Sequence, residues 1–164
     1  MTTAVLPEIE IRDIDSTWTA AVRVTRTFDQ LAMAFSEFLP KVAAQVAELG
    51  GAVAGPPYAR YHAVRADSVD VEIGAPVTLP AGLLLPLGEV DQGQVGASAL
   101  PAGRVAVTTY SGPYAGLGAA WAQMDTRLES LGHHRTGAGW ESYVDDPDEV
   151  PEDQLRTEIV VPIS

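Results

Sequence analysis

The chain has 164 residues, 46% of them hydrophobic and 20% charged, with no cysteine and a formal net charge of -12. That length suits one well-cored domain or two small halves. The missing cysteines exclude a disulfide framework, a thiol nucleophile and a thiolate zinc site, while the acidity argues against a surface that neutralises phosphates, so no direct nucleic-acid binding is expected.

The N-terminal stretch MTTAVLPEIEIRDID carries acids where a signal peptide needs a basic start and an apolar core. Strands are expected at about 8–14 and 18–26. Over 24–51, Leu31, Phe35, Phe38, Val42, Val46 and Leu49 recur at three- and four-residue spacing, one apolar face of a helix that Gly50-Gly51 stops. Pro40 lies inside it and is expected to kink or split it. The segment GPPYARYH (55–62) follows, then VDVEIGAPV (69–77), where Val69, Val71, Ile73, Ala75 and Val77 alternate with Asp70, Glu72 and Gly74.

Residues of roughly 78–93, rich in Gly and Pro, read as a linker. The apolar run AGLLLPLG (81–88) is far too short to span a bilayer, so a soluble, cytoplasmic protein with no membrane contact is expected. Two more strands are expected at 94–100 and 103–110. Leu117, Trp121, Met124, Leu128 and Leu131 then form a second apolar stripe ended by Gly132, which assigns Trp121 to the core. GAGWESYV (137–144) and LRTEIVVPI (155–163) close the chain, separated by an acidic, Pro-punctuated loop, DDPDEVPED, that reads as a solvated turn without the ligand pattern of a calcium loop.

These segments repeat. Gly55 answers to Gly137, Tyr58 to Trp140, Tyr61 to Tyr143, Glu72 to Glu158 and Pro76 to Pro162. Each half, about 7–77 and 94–163, is therefore expected to be a hairpin, a helix and a second hairpin. The fold class is α+β: duplicated strand-helix-strand-strand halves, pseudo-twofold symmetry, antiparallel sheet covered on one side by one long helix per half, and a ligand cleft between halves.

Alternation along the strands assigns Tyr61, Glu72, Glu141, Tyr143 and Glu158 to the uncovered sheet face, with Tyr110 at the end of its strand, and Trp140 to the helix side. A face of acids and tyrosines has three readings. It can be a solvated face, which spacing alone favours. It can be a pocket for an apolar cation, since aromatic faces attract cations and a partly buried carboxylate gains from a partner. It can hold acid–base chemistry by a Glu pair or a Glu–Tyr pair. The aromatics on a nominally polar side, and the symmetric placing of Glu72 and Glu158, raise the pocket. Glu141 breaks the symmetry, because its counterpart is Ala59.

Other chemistry is thin. His133-His134 suits a helix C-terminus, and His62 at a strand end reads as a surface polar group. No metal-ligand spacing, nucleophile elbow or phosphate loop is present, so no metal, cofactor or catalytic residue is assigned.

YSGPY (110–114), the helix ending LESLG, and GAGWESYVDDPDEVPEDQLRTEIVVPI together resemble the GyrI-like small-molecule-binding domain, which is also the effector-binding part of AraC- and MerR-type transcription activators. GPPYARYH and VDVEIGAPV agree, and the resemblance runs from about Pro7 to Ile163. It implies a single domain over 1–164, free-standing, with Glu141 as the acid that meets lipophilic cations in multidrug-sensing members. Glu158 and Tyr143 match pocket positions, and Tyr114 the aromatic closing the GPY turn. Tyr110 stands where many relatives have His.

The leading expectation is a drug- or effector-binding protein for small amphipathic, cationic or aromatic molecules. Glu141 and Glu158 serve as polar anchors and Tyr61, Tyr110, Tyr114 and Tyr143 as walls, with Glu72 beside them. Desolvation should raise the pKa of an empty Glu141. The alternatives are a hydrolase of electrophilic, cyclopropane-bearing toxins, ranked lower because no base with an orienting partner is visible, and a protein-interaction module whose partner is a regulator or gyrase.

Overall fold

The computed structural model describes residues 6–87 and 93–164. Its elements follow in chain order: β1 (Glu10–Ile14), β2 (Thr17–Thr27), α1 (Leu31–Glu48), β3 (Ala52–Val53), β4 (Tyr58–Val64), β5 (Ser68–Thr78), β6 (Gly96–Leu100), β7 (Gly103–Ser111), α2 (Leu117–Ser130), β8 (Trp140–Tyr143) and β9 (Arg156–Pro162). Antiparallel strands and one helix per repeat make it the expected α+β protein. The chain divides into two compact units, one holding Asp15–Ala102 and the other Gly103–Ser164 with the N-terminal segment up to Ile14.

In the first of these units the strands run β4-β5-β2-β6, and β3 pairs with the end of β5. Residues directly opposite in an antiparallel pair share a face. Val22 opposes Ile73, Val24 opposes Val71 and Arg26 opposes Val69. The Arg26 guanidinium lies 5.5 Å from the centre of the Phe38 ring, which places α1 on this valine-rich face. Ala34, Phe38, Val42 and Val46 form the buried stripe of α1. Burying such side chains stabilises by about 1.5–3 kcal/mol each for the larger ones.

Pro40 does not split α1, which runs unbroken from Leu31 to Glu48. Pro40 and Ser36 are both exposed. The Ser36 carbonyl, which loses its helical N–H donor to the proline, therefore turns toward water, where the loss costs least.

The other unit is ordered β1-β7-β9-β8. Ala106 opposes Ile11 and Val161, and Thr108 opposes Ile159. Ala106, Ile159, Val161 and Ile163 pack with Leu117, Ala120, Met124 and Leu128 of α2. Leu131, expected in this stripe, is 61% exposed just past the end of α2, while Ala120 in its first turn is buried. Leu6 joins the core, and Arg127 holds its segment by donating to the carbonyls of Leu6 at 2.7 Å and Pro7 at 2.6 Å.

The leading hairpins do not form. β1 pairs with β7 and β6 with β2. The reason is edge occupancy: β2 has β5 on one side and β6 on the other, so no edge remains for β1. The expected linker also has structure. Leu79 and Leu84 are buried, and residues 85–87 run along β6, with Leu87 N–H donating to Ala97 O at 3.0 Å and Ala97 N–H to Leu85 O at 2.7 Å. Its residues 88–92, like 1–5 of the expected domain, lie outside the described residues.

Candidate functional site

The register corrects the expected grouping of acids and tyrosines. Glu141 opposes Ile159, and Tyr143 opposes Thr157. Ile159 lies in the core beneath α2. Glu141 and Tyr143 therefore share the helix-covered face, not the uncovered one. Trp140 opposes Val160 and Ser142 opposes Glu158, so Trp140 and Glu158 lie on the side away from α2. Glu141 and Glu158 are on opposite faces and cannot form the acid pair. Tyr61 opposes Val71, which puts it on the α1 face, whereas Glu72 is on the other side of that sheet. Alternation fixes relative faces within one strand only. The neighbouring strand decides which face meets the helix.

Glu141 is 3% exposed. The indole Nε1–H of Trp121 donates to its Oε2 at 2.6 Å, and the Tyr143 hydroxyl to its Oε1 at 2.7 Å. Gly139 lets the indole approach β8, because a Cβ there would come within 2.8 Å of the Trp121 ring. Tyr143 meets Tyr114 edge-on, with ring centres 5.5 Å apart and planes at 66°. Tyr114 is 38% exposed, so this aromatic series leads from the buried carboxylate to solvent. Burial pushes the Tyr114 hydroxyl above its ordinary pKa, helped by the charges of Asp145, Asp146 and Glu141. On the other flank, the Arg135 guanidinium lies 5.7 Å from the centre of the Trp121 ring.

Tyr110 is not a wall of this cluster. Its ring is in the core under α2, and its hydroxyl donates to Pro113 O at 2.8 Å. Thr157, between Tyr110 and Tyr143 in register, was not anticipated: it is fully buried, and its Oγ1 has no hydrogen-bond partner among the described residues. Trp121, read as plain core, is a second residue the sequence concealed. Its apolar spacing is real, but its N–H holds the carboxylate.

Glu72 centres a separate cluster. It is 1% exposed and accepts from His62 Nε2 at 2.8 Å, from Ser98 Oγ at 2.9 Å and from the Tyr58 hydroxyl. Burial pushes its carboxyl up, but the bonds from His62, Tyr58 and Ser98 outweigh that and hold it below the ordinary value. Burial, then the Glu72 charge, raises the Tyr58 pKa well above that of a free phenol. No group of three or more His, Asp or Glu side chains able to hold a metal occurs among the described residues. No helix among them is long and apolar enough to cross a membrane.

The duplicated α+β scaffold is that of a small-molecule-binding class of domain. Residues 7–164 match the GyrI-like small molecule binding domain, and the chain belongs to that family. No curated protein matches the sequence. Among solved structures, the EcmrR C-terminal domain superposes with a TM-score of 0.78 at 19% identity, over 98% of this chain and 99% of that one. EcmrR in its complex with DNA matches with a TM-score of 0.76 at 19% identity over 96% of this chain, which spans only 57% of the EcmrR chain. A hydrolase from Listeria innocua matches with a TM-score of 0.60 at 16% identity, over 96% of this chain and 92% of that one. SAV2435 bound to tetraphenylphosphonium matches with a TM-score of 0.60 at 13% identity, over 96% and 94%. At such identities the likeness establishes the fold.

Proposed function

We propose that the protein binds small amphipathic molecules carrying a positive charge or hydrogen-bond donors, with Glu141 as anchor and Tyr143, Tyr114 and Trp121 as aromatic walls. The observation that carries this reading is the buried Glu141 carboxylate held between the Trp121 indole and the Tyr143 hydroxyl. Burying an acid is costly, and the sister position in the first repeat is a buried alanine, Ala59, so the fold does not need an acid there. A carboxylate among aromatic rings attracts a lipophilic cation through both charge and ring quadrupole. That SAV2435 binds tetraphenylphosphonium makes this cation a suitable probe.

Tryptophan fluorescence titration with tetraphenylphosphonium tests it. Glu141→Gln keeps the size of the side chain and is expected to weaken binding about tenfold or more, the equivalent of ~1.4 kcal/mol. Glu158→Gln, altering an acid on the other sheet face, should leave affinity unchanged. Equal affinity in Glu141→Gln and parent would sink the anchor role. A hydrolytic second reading is favoured by the Tyr143–Glu141 contact, an acid and a base side by side, and by the Listeria hydrolase among the fold relatives. It requires multiple turnover of a cyclopropane-bearing electrophile that Glu141→Gln abolishes.

A further inference from the structure

The face of β5 turned away from α1 carries chemistry that the Glu141 site does not use. Four strands of one unit meet there. Thr19 and Arg23 come from β2, Tyr58, Arg60 and His62 from β4, Asp70 and Glu72 from β5, and Ser98 from β6. Glu72 Oε1 accepts from His62, and Oε2 from Ser98 and Tyr58. The Tyr58 hydroxyl is itself 2.9 Å from Thr19 Oγ1. This network locks the carboxylate in place and uses its acceptor sites, so Glu72 acts through the groups that bond to it.

His62 is the outlet of that network. It is the extra residue of the bulge between Tyr61 and Ala63, left without a register partner on β5. Its side chain is 20% exposed, against 2% for Glu72. Nε2 is engaged by the carboxylate, whereas Nδ1 has no hydrogen-bond partner among the described residues. A buried carboxylate that fixes one imidazole nitrogen as N–H leaves the other as a lone-pair base. This is the orienter-and-base relation found in hydrolytic sites.

We propose that His62 and Glu72 form a carboxylate–imidazole dyad that gives the protein a hydrolytic activity toward small activated esters, with His62 as general base and Glu72 as its positioning residue. His62 Nδ1 takes a proton from water as the water oxygen bonds to the ester carbon. The carbon–oxygen bond to the leaving alcohol then breaks, its electron pair goes to that oxygen, and the imidazolium returns the proton to it. The products are one acid and one alcohol, and His62 and Glu72 end as they began. An aryl ester suits the site because its leaving group carries negative charge with little help.

p-Nitrophenyl acetate tests the dyad without involving Glu141. The protein is expected to cleave it faster than imidazole at equal concentration, and His62→Gln to lower the rate about 100-fold, toward background. A His133→Gln/His134→Gln double variant should retain the parent rate. Glu72→Gln should lower kcat with KM little changed, as expected of a residue that acts only through His62. If Glu72→Gln does not fold, the ¹⁵N NMR shifts of parent His62 decide the positioning role: Nε2–H with bare Nδ1 is required. A parent no faster than imidazole, an unimpaired His62→Gln, or an Nδ1–H tautomer would each overturn the proposal.

Discussion

Two of the buried acids, Glu141 and Glu72, are accommodated differently by their surroundings. Glu141 is met by an indole and a phenol, Glu72 by a histidine, a serine and a phenol. For Glu72 the outcome is a pKa below the ordinary 4.5, despite burial. The sign for stability follows. An unfolded chain takes up this proton near 4.5 and the folded chain only at lower pH, so the group stabilises the fold fully above 4.5. That contribution fades as pH falls through the folded value. Asp70 behaves in the same sense, its carboxyl lowered chiefly by the Arg23 bond against the pull of burial. Urea unfolding from about pH 7 to about pH 3 should show stability falling at the acid end, and Glu72→Gln should flatten part of that fall. An acid limb as steep in the variant as in the parent would show that Glu72 does not carry it. Sequence could nominate Glu72 and Glu141 as unusual, since each sits in a run of apolar neighbours. It could not supply their partners: Trp121 and Glu141 are 20 positions apart on a helix and a strand, and Tyr58 and Glu72 are 14 apart across two strands.

At the scale of elements, both helices, with their glycine stops, and the period-two strands were readable because each is a local pattern. Gly50 and Gly132 end their helices at φ +81° and +78°, as an αL stop requires. The exchange of β1 and β6 between repeats was not readable, because a short connection permits a hairpin without enforcing one. The turn from β7 into α2 has a tighter requirement. A Cβ on Gly116 would stand 2.0 Å from the Tyr110 hydroxyl, the same hydroxyl that bonds Pro113 O. Gly116→Ala is expected to destabilise by about 1–3 kcal/mol through overpacking. Tyr110→Phe removes the colliding oxygen, so the double variant should be less destabilised than the sum of the single changes. Strict additivity by chemical denaturation would refute the collision. The tyrosine expected as a ligand wall is thus the peg around which this turn closes.

Across the whole chain, the repeat seen in sequence extends to the pairing register. Ala59 opposes Ile73 as Glu141 opposes Ile159, and Arg60 opposes Glu72 as Ser142 opposes Glu158. The halves therefore share a frame and differ in what they hang on it. The family and fold were legible because order and spacing of many weak motifs survive together. The chemistry of each half was not, because it depends on substitutions at equivalent points of that frame.

One such pair is Val71 and Thr157, which oppose Tyr61 and Tyr143. They have nearly the same shape, but Thr157 brings a buried hydroxyl with no partner among the described residues. The protein thus contains, in its own first half, the more stable version of a position it leaves unsatisfied in the second. Thr157→Val should raise the resistance to unfolding by about 1–2 kcal/mol, because an unbonded buried hydroxyl is removed at constant volume. On the proposed function, it should also reduce the thermal upshift expected of the parent with saturating tetraphenylphosphonium. A variant that melts no later than the parent would contradict this. On the proposed function, a sturdier fold with a poorer grip would mean that the second half keeps its receptivity at the expense of its own cohesion.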